Sequence, residues 1–149
     1  DRREMLGALL ASGAVSEATA MAYEVLEAAP DGSGIAAEFV EGLLRHGAFE
    51  EASDFIASAD ASSELEALLF PVFRYVVAAY EDGDVAAATR DALAAVREHE
   101  EALPVDWDFE QVERLSLRMD RPARRRFDRL VSVLEGRQSP DELDTSDID

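Results

Sequence analysis

Three segments of this chain repeat one pattern at almost constant spacing: Gly13-Ala14-Val15-Ser16-Glu17-Ala18, Gly47-Ala48-Phe49-Glu50-Glu51-Ala52 and Gly83-Asp84-Val85-Ala86-Ala87-Ala88. The glycines stand 34 and then 36 residues apart, a period that points to stacked helical hairpins. Each motif separates two apolar, helix-like stretches. Glycine suits a helix end because the residue just beyond often takes a left-handed conformation that costs glycine little. The alanine five residues later falls about one turn into the next helix, where a small side chain lets two helices approach closely. The chain is therefore expected to be all-α, built from helix–turn–helix units.

Capping signals and apolar periodicity predict helices at about 2–12, 15–29, 34–46, 49–59, 63–82, 84–101, 107–119 and 122–136. Pro71 interrupts the fifth. A proline inside a helix costs about 3 kcal/mol, and the repeat register favours a helix starting near Pro71, with residues 63–69 as a short connecting turn. Asp106 or Asp108 can cap the seventh helix, whose buried stripe is expected at Val112, Leu115 and Met119. Asp120 is a good N-cap for the eighth, with Pro122 in its first turn; Phe127, Leu130, Val131 and Leu134 then recur at helical spacing. These two helices, within residues 102–136, are expected to form a hairpin that caps the array of residues 1–101, whose last apolar face needs a cover. Trp107, the only tryptophan, is expected to wedge that hairpin against the repeats. Residues 137–149 carry five acids and little to bury, and read as a disordered acidic tail.

The period, the glycine-to-alanine turn and Pro30, seventeen residues after Gly13, resemble the tetratricopeptide repeat (TPR) over residues 1–101. The pattern departs where Leu6, Val40 and Val76 replace the small residue usual seven positions before the turn glycine, and where Glu64 and Glu100 replace the closing proline. The resemblance implies a right-handed array of TPR-like hairpins acting as a protein–protein interaction scaffold or adaptor. In that family the first helix of each repeat lines a concave groove for a partner protein or peptide. Register then places Arg3 and Leu10, Glu41, Leu44 and Arg45, and Phe70, Phe73, Val77 and Tyr80 on that groove. Phe73 and Tyr80 beside Arg45 would grip an apolar segment with an acidic anchor. The alternative is that these aromatics fill core against the last hairpin. Gly7 and Glu41 stand where chaperone-binding members would carry asparagine, which argues against a carboxylate-clamp role.

Charge is the unusual quantity. The chain has 33 acids against 14 bases, every base an arginine, for a net charge of −19. Such a surface repels itself in dilute buffer, and molar salt shortens the Debye length to about 3 Å. The composition resembles that of proteins from salt-accumulating halophiles; biased codon usage is the alternative. Residues 1–111 hold six arginines and 24 acids, whereas residues 112–137 hold eight arginines and four acids, a net of +4. Arg121, Arg125 and Arg129 are expected to face solvent opposite the apolar stripe of the last helix, flanked by Arg118, Arg124 and Arg126. They form either a docking face for an acidic partner or phosphate, as a regulatory or nucleic-acid-associated module would use, or an internal counterweight paired with acids of the body or of the tail. Nucleic acid is disfavoured, because the rest of the chain would repel phosphates and no basic-plus-aromatic module is present.

Nothing points to catalysis or to a cofactor. Without cysteine or lysine there is no thiolate chemistry, no Schiff base and no P-loop. His46 and His99 read as helix-end residues, where an imidazole is favoured by the macrodipole, and neither has the intrahelical spacing of a metal pair. Adjacent acids such as Glu50/Glu51 and Glu100/Glu101 point in different directions and read as solvated surface. The longest apolar stretch, Ala67 to Tyr80, is broken by Pro71 and Arg74 and is short of a membrane span of about 20 residues. A soluble, cytoplasmic protein is expected, with no signal of oligomeric state; its first residue, Asp1, is what a processed chain or a piece of a longer one would show.

Overall fold

A computed structural model of the chain describes residues 2–28, 34–58 and 64–139. Among these are eight α-helices and no strand: α1 (Arg2–Ala11), α2 (Val15–Ala28), α3 (Ile35–Arg45), α4 (Phe49–Ser58), α5 (Glu64–Tyr80), α6 (Val85–Glu98), α7 (Glu110–Ser116) and α8 (Arg121–Leu134). A single 3-10 turn, Glu100–Ala102, follows α6. Pro30 and residues 140–149, most of the expected tail, lie outside the described residues.

The first two repeat turns close as the glycines predict. Gly13 and Gly47 sit at φ +84° and +75°. The next N–H in each turn reaches back five residues: Ala14 donates to the Leu9 carbonyl at 2.8 Å, and Ala48 to that of Leu43 at 2.9 Å. The third turn is shifted by one residue. There Asp82 takes the left-handed conformation at φ +54°, while the Gly83 N–H closes onto the Ala78 carbonyl at 2.8 Å. Gly83 serves instead as a close-approach residue, since a Cβ on it would meet Ala78 Cα at 3.2 Å. Ala18, Ala52 and Ala88 are all buried at the helix contacts expected of them.

α5 is the central helix, in contact with α3, α4, α6, α7 and α8. It runs unbroken through Pro71, so the expected helix start at that residue does not occur. Magnitudes explain why. The proline costs about 3 kcal/mol, but Leu68, Leu69, Phe70, Val72 and Phe73 are all buried around it, each worth about 1.5–3 kcal/mol. A helix apolar on every side belongs in the interior.

α1, α3 and α5 lie side by side, with α2 packed on α3 and α4 on α5. The last two helices touch each other, but they separate in destination: α8 packs on α5 and α6, whereas α7 packs on α3 and α5. The stripe of α8 (Phe127, Leu130, Val131, Leu134) is buried as its periodicity predicts. Asp120 caps it, accepting from the Ala123 N–H at 2.9 Å. α7 is shorter than expected, beginning after Asp108 accepts from the Glu110 N–H at 3.0 Å.

Candidate binding cleft

The segment between α6 and α8 decides which surfaces stay open. It is tied down at four points. The Val105 N–H donates to the Leu134 carbonyl at 2.9 Å. Trp107, half-buried, donates from Nε1 to Glu41 Oε2 at 3.1 Å. Val112 is buried in the core, and the Tyr80 hydroxyl donates to the Leu115 carbonyl. Burial pushes the Glu41 carboxyl above its usual range, opposed by the Trp107 hydrogen bond and by Arg45. The indole thus docks the segment onto α3.

This placement divides the residues that register assigned to one groove. Leu44, Phe70 and Phe73 are no more than 4% exposed and belong to the core. Phe70 and Phe73 are corrected from partner-binding to packing residues, the core alternative weighed above, while Leu44 is buried but reaches the floor of the cleft described next. Glu41 is engaged by Trp107. Leu10 is buried, and the Arg3 side chain lies outside what the structure describes.

Arg45 and Tyr80 remain accessible and come together. With Phe49, Gln111, Arg114 and Arg118 they line a cleft of about 560 Å³ floored by Leu44 and Leu115. It sits where the ends of α3 and α5 and the start of α4 meet α7. Phe49 and Tyr80 form a tilted ring pair with centroids 4.8 Å apart. Among the described residues, every charged side chain lining this cleft is an arginine. Arg114 is paired with Glu110 at 2.7 Å on an exposed surface, an arrangement worth little to stability. No ion pair holds Arg45 or Arg118 among the described residues. Burial raises the Tyr80 hydroxyl above its ordinary range, and the nearby Arg118 charge opposes that rise. Periodicity could not find Phe49, Arg114 and Arg118, because they join the cleft from α4, from α7 and from the turn after α7, which lie outside α3 and α5.

The arginines of α8 lie elsewhere. Arg121 and Arg125 are exposed, and Arg129 is half-buried with an interaction of its own. None of the three lines the Arg45 cleft. Beside them, between α7 and α8, a mixed cleft of about 500 Å³ sets Arg114, Arg124 and Arg137 among Glu110, Glu113 and Asp128. Arg137 pairs with Glu135 at 2.5 Å. Part of the positive charge of this region is therefore balanced by acids close to it in the chain, Glu110 and Glu135. Glu113 is raised by burial and by Glu135.

His46 and His99 stand at the C-terminal ends of α3 and α6, as expected. His99 also meets Glu64 from the start of α5, Nδ1 to Oε2 at 3.5 Å, and Glu101 completes a group whose ligand atoms lie within 4.8 Å of one another. Spacing within one helix could not reveal this trio, because its members come from α5, the end of α6 and the 3-10 turn. Both glutamates are exposed. No helix among the described residues is long and apolar enough to cross a membrane. No protein-family model, curated protein or solved structure matches this chain.

Proposed function

We propose that this chain is a TPR-like interaction scaffold that holds another protein or peptide at the Arg45–Phe49–Tyr80–Arg118 cleft. The observation that carries this reading is the cleft itself: half-buried rings and only positive charge along its walls, in a chain of net charge −19. The repeated turns, the side-by-side α1, α3 and α5, and the packing of α8 on α5 and α6 support a right-handed TPR-like array. In such an array α7 occupies part of the face that would otherwise receive a partner, leaving the cleft at its edge as the open position.

The test is affinity capture from an extract of the source cells, comparing wild type with Arg45→Ser/Arg118→Ser and with Arg121→Ser/Arg125→Ser, after circular dichroism has shown all three folded. Loss of one specific protein with the first pair alone is the expected result. Loss with the second pair alone would instead support a module that docks an acidic partner on α8. That second reading is favoured by one observation, the exposure of Arg121 and Arg125. The acidic composition further suggests adaptation to salt, in which case Tm rises between about 0.1 M and 1 M NaCl as repulsion is screened.

A further inference from the structure

The chain's two charge regimes meet at the cleft. Arg45 comes from the acidic residues 1–111, whereas Arg114 and Arg118 come from the arginine-rich residues 112–137. Of the arginines before residue 111 whose side chains are described, only Arg45 lines the cleft. The tertiary fold therefore concentrates guanidinium groups at one place and leaves carboxylates off its walls. A guanidinium fork is matched to a carboxylate, which it can hold through two parallel hydrogen bonds.

The apolar part of the cleft is equally defined. Phe49 and Tyr80 are half-buried, so ring surface stays open to the cleft. The Tyr80 hydroxyl is committed to the Leu115 carbonyl, which holds that ring in place. Gln111 adds an amide able both to donate and to accept, the pair of functions a peptide backbone presents. A volume of about 560 Å³ falls within the range of specific ligand sites.

We propose that this cleft binds an acidic peptide segment of a partner, with a ring or branched apolar side chain against Phe49 and Tyr80 and flanking carboxylates on Arg45 and Arg118. The inference rests on the scaffold reading and names the chemistry of the partner. A short peptide keeps its acids within reach of the cleft. A nucleic acid strand carries phosphates along its whole length, and those beyond the cleft would meet a strongly acidic body.

The experiment is fluorescence anisotropy with three labelled peptides, at the lowest salt at which circular dichroism shows the full chain folded. The probes are Gly-Asp-Glu-Phe-Asp-Glu-Gly, its amide counterpart Gly-Asn-Gln-Phe-Asn-Gln-Gly, and Gly-Asp-Glu-Ala-Asp-Glu-Gly. The acidic phenylalanine peptide should bind tightest, the amide peptide about tenfold weaker and the alanine peptide several-fold weaker. Arg45→Ser/Arg118→Ser should lower affinity for the first probe by about tenfold, and Arg121→Ser/Arg125→Ser should leave it unchanged. Equal binding of the acidic and amide peptides overturns the proposal, as does loss of binding with the α8 pair instead. So does tighter binding by a single-stranded oligothymidylate that depends on Arg45 and Arg118, which would make the ligand a nucleic acid. Neutralising Asp141, Glu142, Asp144, Asp147 and Asp149 to their amides should not change affinity. A marked gain would make the chain's own C-terminus the occupant and overturn an external partner. If a protein is captured through Arg45 and Arg118 while the acidic probe does not bind, the acidic chemistry fails and the scaffold stands. If the probe binds there but no protein is captured, the scaffold fails and the acidic cleft stands.

Discussion

Helices α1 to α6 bury their apolar faces largely against helices close by in the chain, whereas α7 buries its face against α3 and α5, far before it in sequence. The two regions also differ in charge: residues 1–111 have 24 acids and six arginines, and residues 112–137 have eight arginines and four acids. They differ again in how they are held. The body is closed by turns and apolar contacts, while the segment leading into α7 is fastened by separate points, chiefly Trp107 on Glu41 and Tyr80 on Leu115. A helical body can thus be covered by its own C-terminal chain, and the covering segment then decides which surfaces stay open. Here it packs on α3 and α5 and supplies two arginines to the cleft that remains.

The largest effect should come from the body. Phe73→Ala empties a fully buried site in α5 and should cost about 3–5 kcal/mol. Urea unfolding followed by circular dichroism and by Trp107 fluorescence should then shift together; two separated transitions would show that the segment and the body are not one cooperative unit.

Trp107→Ala attacks the covering segment alone. Because the ring is half-buried, the expected loss is roughly 2 kcal/mol. Hydrogen exchange should accelerate in residues 103–118 while the amides of α3 and α4 keep their protection. Equal acceleration in both would erase the distinction drawn between the two regions.

Tyr75→Phe sharpens the contrast from the side of α8. The buried Tyr75 hydroxyl donates to the Ala123 carbonyl at 2.6 Å, and its loss should cost about 1–2 kcal/mol. Burial pushes this phenol up to about 12 from an ordinary 10.0. The folded state therefore retains a proton that the unfolded chain releases, so its contribution is present below pH 10.0 and is lost as pH rises towards 12. Alkaline titration of stability should be flatter over that window in the variant.

The smallest expected effect is at the docking point. Glu41 is raised above its ordinary 4.5 mainly by burial, so folding favours its protonated form and stability falls as pH rises above that value. Glu41→Gln keeps an oxygen for the Trp107 N–H and removes the titration. It should match wild type below pH 4.5 and exceed it at neutral pH by under about 1 kcal/mol, allowing for solvent screening. Lower stability of the variant at neutral pH would mean that the charge on Glu41 helps hold the segment down.

Periodicity and turn chemistry were enough to read six of the eight helices to within a few residues of their observed ends; α5 starts well before the expected Pro71, and α7 is markedly shorter than its pattern suggested. The turns at Gly13 and Gly47, the cap at Asp120 and the stripe of α8 were equally legible. Each depends on residues within one or two turns of each other, so sequence spacing carries the geometry directly. Two local readings failed. The start expected at Pro71 gave way to the burial of the residues around that proline, a tertiary effect, and the left-handed position in the third turn fell on Asp82, one residue before the expected glycine.

The candidate site divides in the same way. Arg45 and Tyr80 could be named from register, and the charge contrast between the two parts of the chain was plain. Phe49, Arg114 and Arg118 could not be assigned to the cleft, because that depends on where α7 comes to rest; Phe73 could be read as groove or as core, and only the tertiary structure shows it buried. The sequence by itself determined a helical chain, its turns and the uneven distribution of its charge. Only the tertiary structure decided that α7 would lie on α3 and α5, since its apolar stripe specifies that a face must be buried but not which of several apolar surfaces will bury it.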